Sequence, residues 1–193
     1  ERYLEFKIDE EFPEGQAELL SEAYALLGLV PHDMDLRGTL KALYLEQIAG
    51  FYDPDSTTLF VLDDQPDEAI ESLLVHELVH AIQDQSADLD AITAPGLNND
   101  RRVAAQAAIE GHATLVMFEF LMREQGRGAS DLMEVPDFSA RLGPALEALR
   151  TQSPALAGAP LVLRESVLFP YRGGVMFVES PHRFVEFFFE VCQ

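Results

Sequence analysis

The sequence predicts an α+β fold that is mainly helical. Most of the chain repeats apolar residues at helical spacing. Two short runs rich in aromatic and β-branched residues, 50–52 and 58–62, are joined by Asp-Pro-Asp-Ser-Thr, which is typical of a β-hairpin. With 193 residues and 48% hydrophobic content, the chain is long enough for one filled core. We therefore expect a single domain over residues 1–193, with a small sheet among helices.

The region before the hairpin is predicted to hold one strand and two helices. Apolar and charged residues alternate over 4–8, which indicates a short strand. Residues 14–29 have a helical pattern, residues 28–37 contain turn-forming proline and aspartates, and residues 40–48 can form a second helix.

Two long helices are predicted after the hairpin. The first covers 66–85, with Asp64 as its N-cap and Pro66 in its first turn. The second follows a loop over 87–98 and ends at Gly126; its cap is Asn98, Asn99 or Asp100. The remaining predicted elements are a loop over 126–138, helices over 144–150 and 162–169, a break at Phe169-Pro170-Tyr171 and a last helix through Val178.

The most informative pattern is His76-Glu77-Leu78-Val79-His80, in the first long helix. Helical positions four apart differ by about 40° in direction, so the two imidazoles project from one face and can share a metal. Glu77 is one step round the helix, where its carboxylate can take a proton from a metal-bound water. The residues around the motif are apolar, so we expect the helix to be buried on most sides and the three polar groups to need a compensating ion. The spacing predicts two ligands and a general base, as in zinc peptidases.

A third protein ligand is expected, because catalytic zinc sites use three and leave one position to water. Gln83 and Ser86 stand where the metzincin pattern requires glycine and histidine, which excludes that class. Glu110 is the preferred ligand, since helical steps place it on an inward-facing apolar stripe. His112, about 160° round the helix from Glu110, and Asp100 remain as alternatives.

Three further residues have candidate roles near such a site. Gly111 would let its helix approach another backbone closely. Tyr171 can donate a hydrogen bond to a developing oxyanion, although an ordinary buried tyrosine has the same sequence signal. Asp84, one turn beyond His80, can orient a ligand imidazole or stand as a solvated carboxylate at the helix end.

The chain resembles a largely uncharacterised group of bacterial and archaeal zincin-like metallopeptidases related to the gluzincins. The resemblance covers about residues 27–178 and lies in four segments: Ala49-Gly50-Phe51-Tyr52-Asp53-Pro54, Leu59-Phe60-Val61-Leu62, residues 76–85 and Glu110-Gly111-His112-Ala113-Thr114. It implies a zincin-like fold with the hairpin before the motif helix. It also implies one Zn²⁺ per chain held by His76, His80 and Glu110, with Glu77 as general base.

Zincins place an edge strand before the motif helix, and here residues 59–62 are expected either to bind an extended peptide substrate or to close the core as an ordinary hairpin. The chain departs from the resemblance at two points. His112 stands where the family more often has aspartate, which points to a role for His112 near the metal. Similar chains usually continue for some tens of residues past the 170–178 segment, whereas this one stops at Gln193, so we expect part of the substrate cleft to be absent.

The amino-acid composition disfavours two classes of binding partner, nucleic acids and anionic membranes. A net charge of -21, with no basic cluster larger than Arg101-Arg102, argues against nucleic acid and an anionic membrane surface. The single cysteine, Cys192, cannot form an internal disulfide, and no apolar run reaches the roughly 18 residues of a membrane-spanning helix. Because the chain begins at Glu1, not methionine, a processed extracytoplasmic protein is favoured.

The sequence thus predicts a zinc metallopeptidase that hydrolyses peptide or protein substrates through a zinc-activated water. The alternative is a non-catalytic, zinc-binding, zincin-like interaction module without an accessible cleft. A structural protein with no metal is a third, weaker hypothesis.

Overall fold

The computed structural model describes residues 15–63, 65–94, 98–127 and 153–178. These residues are mainly helical with one two-stranded antiparallel sheet, which confirms the predicted fold class at that level. In chain order the elements are α1 (Gln16–Leu26), α2 (Leu36–Gln47), β1 (Gly50–Asp53), β2 (Thr58–Val61), α3 (Asp67–Ser86), α4 (Leu89–Ile92), α5 (Asn99–Glu124), α6 (Pro154–Gly158) and α7 (Leu161–Val178). The strand predicted over 4–8, the helix over 144–150, most of the loop over 126–138 and the cap Asp64 lie outside the described residues.

Backbone contacts divide the chain into two compact units. The first comprises residues 1–48 and 145–168, and the second comprises residues 49–144 and 169–193. Helix α7 starts in the first unit and ends in the second. That the whole chain behaves as a single domain stays a prediction.

The first unit packs around a small apolar core on α2, α6 and the start of α7. Leu36, Leu43 and Leu156 are almost fully buried there. Helix α2 starts at Leu36, earlier than the predicted position 40, because the Asp35 side chain accepts a hydrogen bond from Gly38 N at 2.8 Å and caps the helix. The prediction that the turn extends to residue 37 is therefore wrong.

The second unit begins with the predicted hairpin. Strands β1 and β2 pair Gly50 with Val61 and Tyr52 with Leu59. The rings of Phe51 and Phe60 stack with centroids 4.8 Å apart, which stabilises the pairing across the strands. Helix α3 begins a few residues after the hairpin ends.

Helix α3 packs against the hairpin and against α5. Its first turn carries Asp67 and Glu68, as predicted, whereas Pro66 precedes the helix and supplies no side-chain cap. The expectation that α3 is buried on most sides is wrong, because Leu78 and Ile82 are 48% and 61% exposed. These two residues are four positions apart and so share one face, which the hairpin and α5 leave uncovered.

The starts of α4 and α5 have side-chain caps. Asp88 accepts a hydrogen bond from Ala91 N, which starts the one-turn helix α4 inside the predicted loop. Asn98 is the cap of α5, since its Oδ1 accepts from Asp100 N at 2.9 Å. Of the three candidate caps, the structure therefore selects Asn98.

The break predicted at Pro170 is wrong, because α7 runs unbroken from Leu161 to Val178. Proline removes the hydrogen bond that its N–H would have given to Ser166 O, at a cost of about 3 kcal/mol in a helix interior. The packing of the following turns offsets this cost, since Gly174 and Val175 are buried.

Helices α5 and α7 cross at two glycines. A Cβ on Gly111 would overlap the Gly174 backbone, and a Cβ on Gly174 would overlap the carbonyl of Ala107. The prediction that Gly111 permits a close helix approach is confirmed, and the partner is the 169–178 part of α7. This crossing brings α7 beside the part of α5 that carries Glu110.

Candidate metal centre

Three side chains from α3 and α5 converge on one point. His76 Nε2 lies 3.1 Å from His80 Nε2 and 3.2 Å from Glu110 Oε2, and the remaining separation, His80 Nε2 to Glu110 Oε2, is 3.6 Å. The histidine side chains are each 12% exposed and that of Glu110 is 26% exposed. The three predicted ligands are thus close enough to hold a metal ion.

The triangle of ligand atoms has the size that a tetrahedral metal requires. Nitrogen and oxygen ligands at about 2.0–2.1 Å from zinc in a tetrahedral arrangement are separated from each other by about 3.3–3.4 Å. The observed separations lie on either side of that value. The donor set of two imidazoles and one carboxylate also suits a catalytic zinc site, so the residues fit the metal.

Local sequence explains why the ligands meet. His76 and His80 are one turn apart on α3. On α5, the buried positions around Glu110 are occupied by small residues, which lets both α3 and α7 approach closely; they are Ala105, Ala107, Ala108, Gly111, Ala113 and Thr114. Glu110 therefore reaches the histidines with its short side chain.

Without a metal, the charged forms of His80 and Glu110 stabilise each other, and this shifts the pKa values of both groups. Burial alone would lower the pKa of His80, but hydrogen bonding and charge from Glu110 outweigh it and raise the pKa to about 9. Burial alone would raise the pKa of Glu110, but hydrogen bonds from His76 and His80 lower it to about 2. A metal must therefore displace a proton from His80.

Glu77 lies beside this group and is 6% exposed. Burial raises its pKa, and the nearby Glu110 charge acts in the same direction, while the charges of His80 and His76 oppose the shift. The Tyr52 backbone N–H donates a hydrogen bond to the Glu77 carboxylate. Strand β1 thus holds the predicted base next to the ligands.

Tyr52 also makes a side-chain hydrogen bond, from its hydroxyl to Asp84 Oδ2 at 3.0 Å. Asp84 Oδ1 accepts a second hydrogen bond from Leu89 N at 3.4 Å. Asp84 therefore links the hairpin, α3 and α4. The contact that an orienting role at His80 would need, a hydrogen bond to its Nδ1, is made by Gln83 and not by Asp84.

Gln83 is a residue whose role the sequence did not suggest. It is 6% exposed, and its Oε1 lies 2.9 Å from His80 Nδ1. Its Nε2 lies 3.1 Å from both Ile109 O and His112 Nδ1. Its position three residues after His80, hence on the same helical face, was the available signal.

The two alternative ligands from the sequence stand apart from the converging group. His112 bonds Gln83, and burial followed by the charge of His80 lowers its pKa. Asp100 is exposed in the first turn of α5. Within the described ranges, the cluster able to hold an ion consists of His76, His80 and Glu110.

Tyr171, the predicted oxyanion donor, lies beside one of the three residues, His76. Its ring centroid is 6.4 Å from that of His76, and the rings are inclined by 33°. It is on α7, one turn before the glycine crossing at Gly174. The crossing therefore brings Tyr171 beside the His76 ring.

No protein-family model, curated protein or solved structure matches this chain.

None of the helices in the described ranges combines the length and apolar character needed to cross a membrane.

Proposed function

We propose that this protein is a zinc-dependent metallopeptidase of gluzincin type with a zincin-like fold. One observation carries the proposal: the His76, His80 and Glu110 ligand atoms form a triangle of tetrahedral size, with the buried carboxylate of Glu77 beside it. A two-histidine, one-glutamate donor set that leaves a coordination position for water is used in metallopeptidases.

Zinc, when bound, would lower the pKa of a water to about 7 and polarise the carbonyl of a peptide bond. Glu77 accepts a proton from the attacking water and passes it to the leaving amine. Its burial favours this exchange, because a raised pKa makes the carboxylate a better proton acceptor. The Tyr52 N–H keeps the carboxylate oriented during both transfers.

Tyr171 is proposed to donate a hydrogen bond to the oxygen of the tetrahedral intermediate. This role is supported by its position against the His76 ring and by a helix that is fixed through the Gly111–Gly174 contact.

Strand β2 is proposed to bind the substrate backbone. One edge of β2 pairs with β1, and in the described part of the chain no further strand pairs with the other edge. An extended peptide could add to that edge as a further strand. Phe60, which is 43% exposed, offers an apolar contact to a substrate side chain.

The decisive experiment joins metal analysis with a peptide cleavage screen. We expect about one zinc per chain in the wild type and in Glu77→Gln, cleavage by the wild type, and none by Glu77→Gln. Glu71→Gln is the matched control, because Glu71 is an exposed glutamate on the same helix, and it should cleave normally.

Two outcomes would contradict the proposal. Zinc at full occupancy without hydrolysis of a diverse peptide library would favour the non-catalytic interaction module. Less than about 0.1 metal per chain after purification without chelator would remove both metal-dependent functions.

A further inference from the structure

Both the oxygen and the nitrogen of the Gln83 side-chain amide have hydrogen-bond partners in the described structure. Its oxygen faces His80 Nδ1 at 2.9 Å, and its nitrogen contacts Ile109 O and His112 Nδ1, each at 3.1 Å. A glutamine amide has two N–H donors, and both have acceptors here. At 6% exposure, a broken bond would leave a buried polar atom unpaired, so the amide is fixed in place.

The Ile109 carbonyl determines which way round the amide lies. A backbone carbonyl can only accept, so the amide nitrogen must face it and the oxygen must face His80. That oxygen can only accept as well, and therefore His80 Nδ1 must carry a hydrogen. Neutral imidazole carries one ring hydrogen, so Nε2 then presents its lone pair toward His76 and Glu110.

We infer that Gln83 is a positioning residue that fixes the tautomer and ring orientation of His80 for metal binding. The inference rests on the proposed function, since it concerns the same site. It gives Gln83 the part that a carboxylate or backbone carbonyl plays behind many metal-ligating histidines.

His112 takes part by holding the amide. Its Nδ1 accepts the second N–H of Gln83, so its own ring hydrogen is on Nε2 when the ring is neutral. His112 is thus connected through Gln83, by two hydrogen bonds, to His80 Nδ1, the ring nitrogen that faces away from the ligand triangle. This contact gives a physical role to His112, which stands where the family that the sequence resembles more often has aspartate.

Zinc affinity of variants, measured by competition with a chelator, tests the inference. Gln83→Met keeps the side-chain length and removes the hydrogen bonds, and it should weaken zinc binding by about 10–100-fold. Gln85→Met is the control, because Gln85 is exposed on the same helix and bonds only locally to Ala81 O in the described contacts; it should bind as the wild type does. Far-UV circular dichroism of the metal-free variants checks that each is folded.

Gln83→Glu separates positioning from packing. Its carboxylate still accepts from His80 Nδ1, so positioning predicts tighter zinc binding than in Gln83→Met and a Co²⁺ absorption spectrum close to that of the wild type. A packing role predicts the reverse order, because methionine keeps the apolar volume while glutamate buries a charge.

Equal zinc affinity of the wild type and Gln83→Met, or weaker binding by Gln83→Glu than by Gln83→Met, would overturn the inference and leave the proposed function intact. A wild-type chain that binds no zinc would overturn both. Hydrolysis assays are not needed for either decision.

Discussion

His76 and His80 turn their Nε2 atoms toward each other at a distance of 3.1 Å. Two nitrogen lone pairs at that separation repel each other unless a proton or a cation lies between or beside them. The Glu110 carboxylate completes the group and favours positive charge there, whether that charge comes from a proton on His80 or from a metal. Proton and metal therefore compete for one position, and this competition makes the site testable.

Zinc affinity should rise with pH. Because His80 in the metal-free protein holds its proton up to a pKa of about 9, zinc must release that proton, and its affinity should increase by about tenfold per pH unit up to about pH 9. Chelator competition across this range gives the slope. In Glu110→Gln the negative charge that raises the pKa is absent, so the slope should level off at lower pH. An affinity independent of pH would contradict the proposed ion pair.

Stability of the metal-free protein should depend on pH in both directions. The raised pKa of His80 contributes stability that is fully present below its ordinary value of 6.5 and is lost as pH rises toward 9. The lowered pKa of Glu110 contributes stability that is present above 4.5 and is lost as pH falls toward 2. The free energy of unfolding, measured by urea denaturation, should therefore be highest between about pH 4.5 and pH 6.5. Glu110→Gln should reduce the dependence on both sides, whereas Glu124→Gln, at an exposed position on α5, should not.

Glu110→Gln should also weaken zinc-dependent stabilisation. Zinc at a hundredfold excess over its dissociation constant stabilises a folded protein by about 2.7 kcal/mol, and the loss of a charged ligand reduces this gain. Melting curves recorded with and without zinc measure this stabilisation, and Glu124→Gln is again the control. Equal zinc-induced shifts in the two variants would show that Glu110 is not a ligand.

Gly174→Ala should destabilise the protein by about 1–3 kcal/mol, because its methyl group would meet the Ala107 carbonyl and force α5 and α7 apart. Gly158→Ala, on the short helix α6, is the matched control: apart from its own helix backbone and its chain neighbours, no atom lies within 4 Å of the added Cβ, and the stability of this variant should change by about 0.5 kcal/mol or less. Denaturant unfolding measures both. Similar stabilities of the two variants would argue against a tight crossing.

Tyr171→Phe should lower kcat by about 10²-fold while zinc affinity changes little, because the lost hydroxyl acts on the transition state. Tyr52→Phe is the comparison. Its hydroxyl bonds Asp84, so its loss should reduce stability by about 0.5–1.5 kcal/mol with a smaller effect on kcat. Both variants require steady-state kinetics on a cleaved peptide. An unchanged kcat in Tyr171→Phe would remove this residue from the proposed mechanism.

Features that depend on local spacing could be predicted from the amino-acid sequence alone. The motif helix, the hairpin before it and the long helix bearing Glu110 follow from periodicity and turn residues, which act over a few positions. The pairing of His76 with His80 is likewise local, because positions four apart on a helix are neighbours. Even Glu110 could be selected, since an acidic residue on an apolar stripe needs a compensating charge.

The relationships between helices and strands depend on tertiary packing and could not be predicted in this way. Three contacts depend on how α3, α5, α7 and the hairpin pack together. Gln83 lies between His80 and His112. The Tyr52 N–H reaches Glu77, and the Tyr171 ring lies beside that of His76. The continuity of α7 through Pro170 has the same origin, because the burial of Gly174 and Val175 offsets a local penalty. Packing energies are summed over contacts between segments that are distant in sequence, and local patterns do not encode that sum.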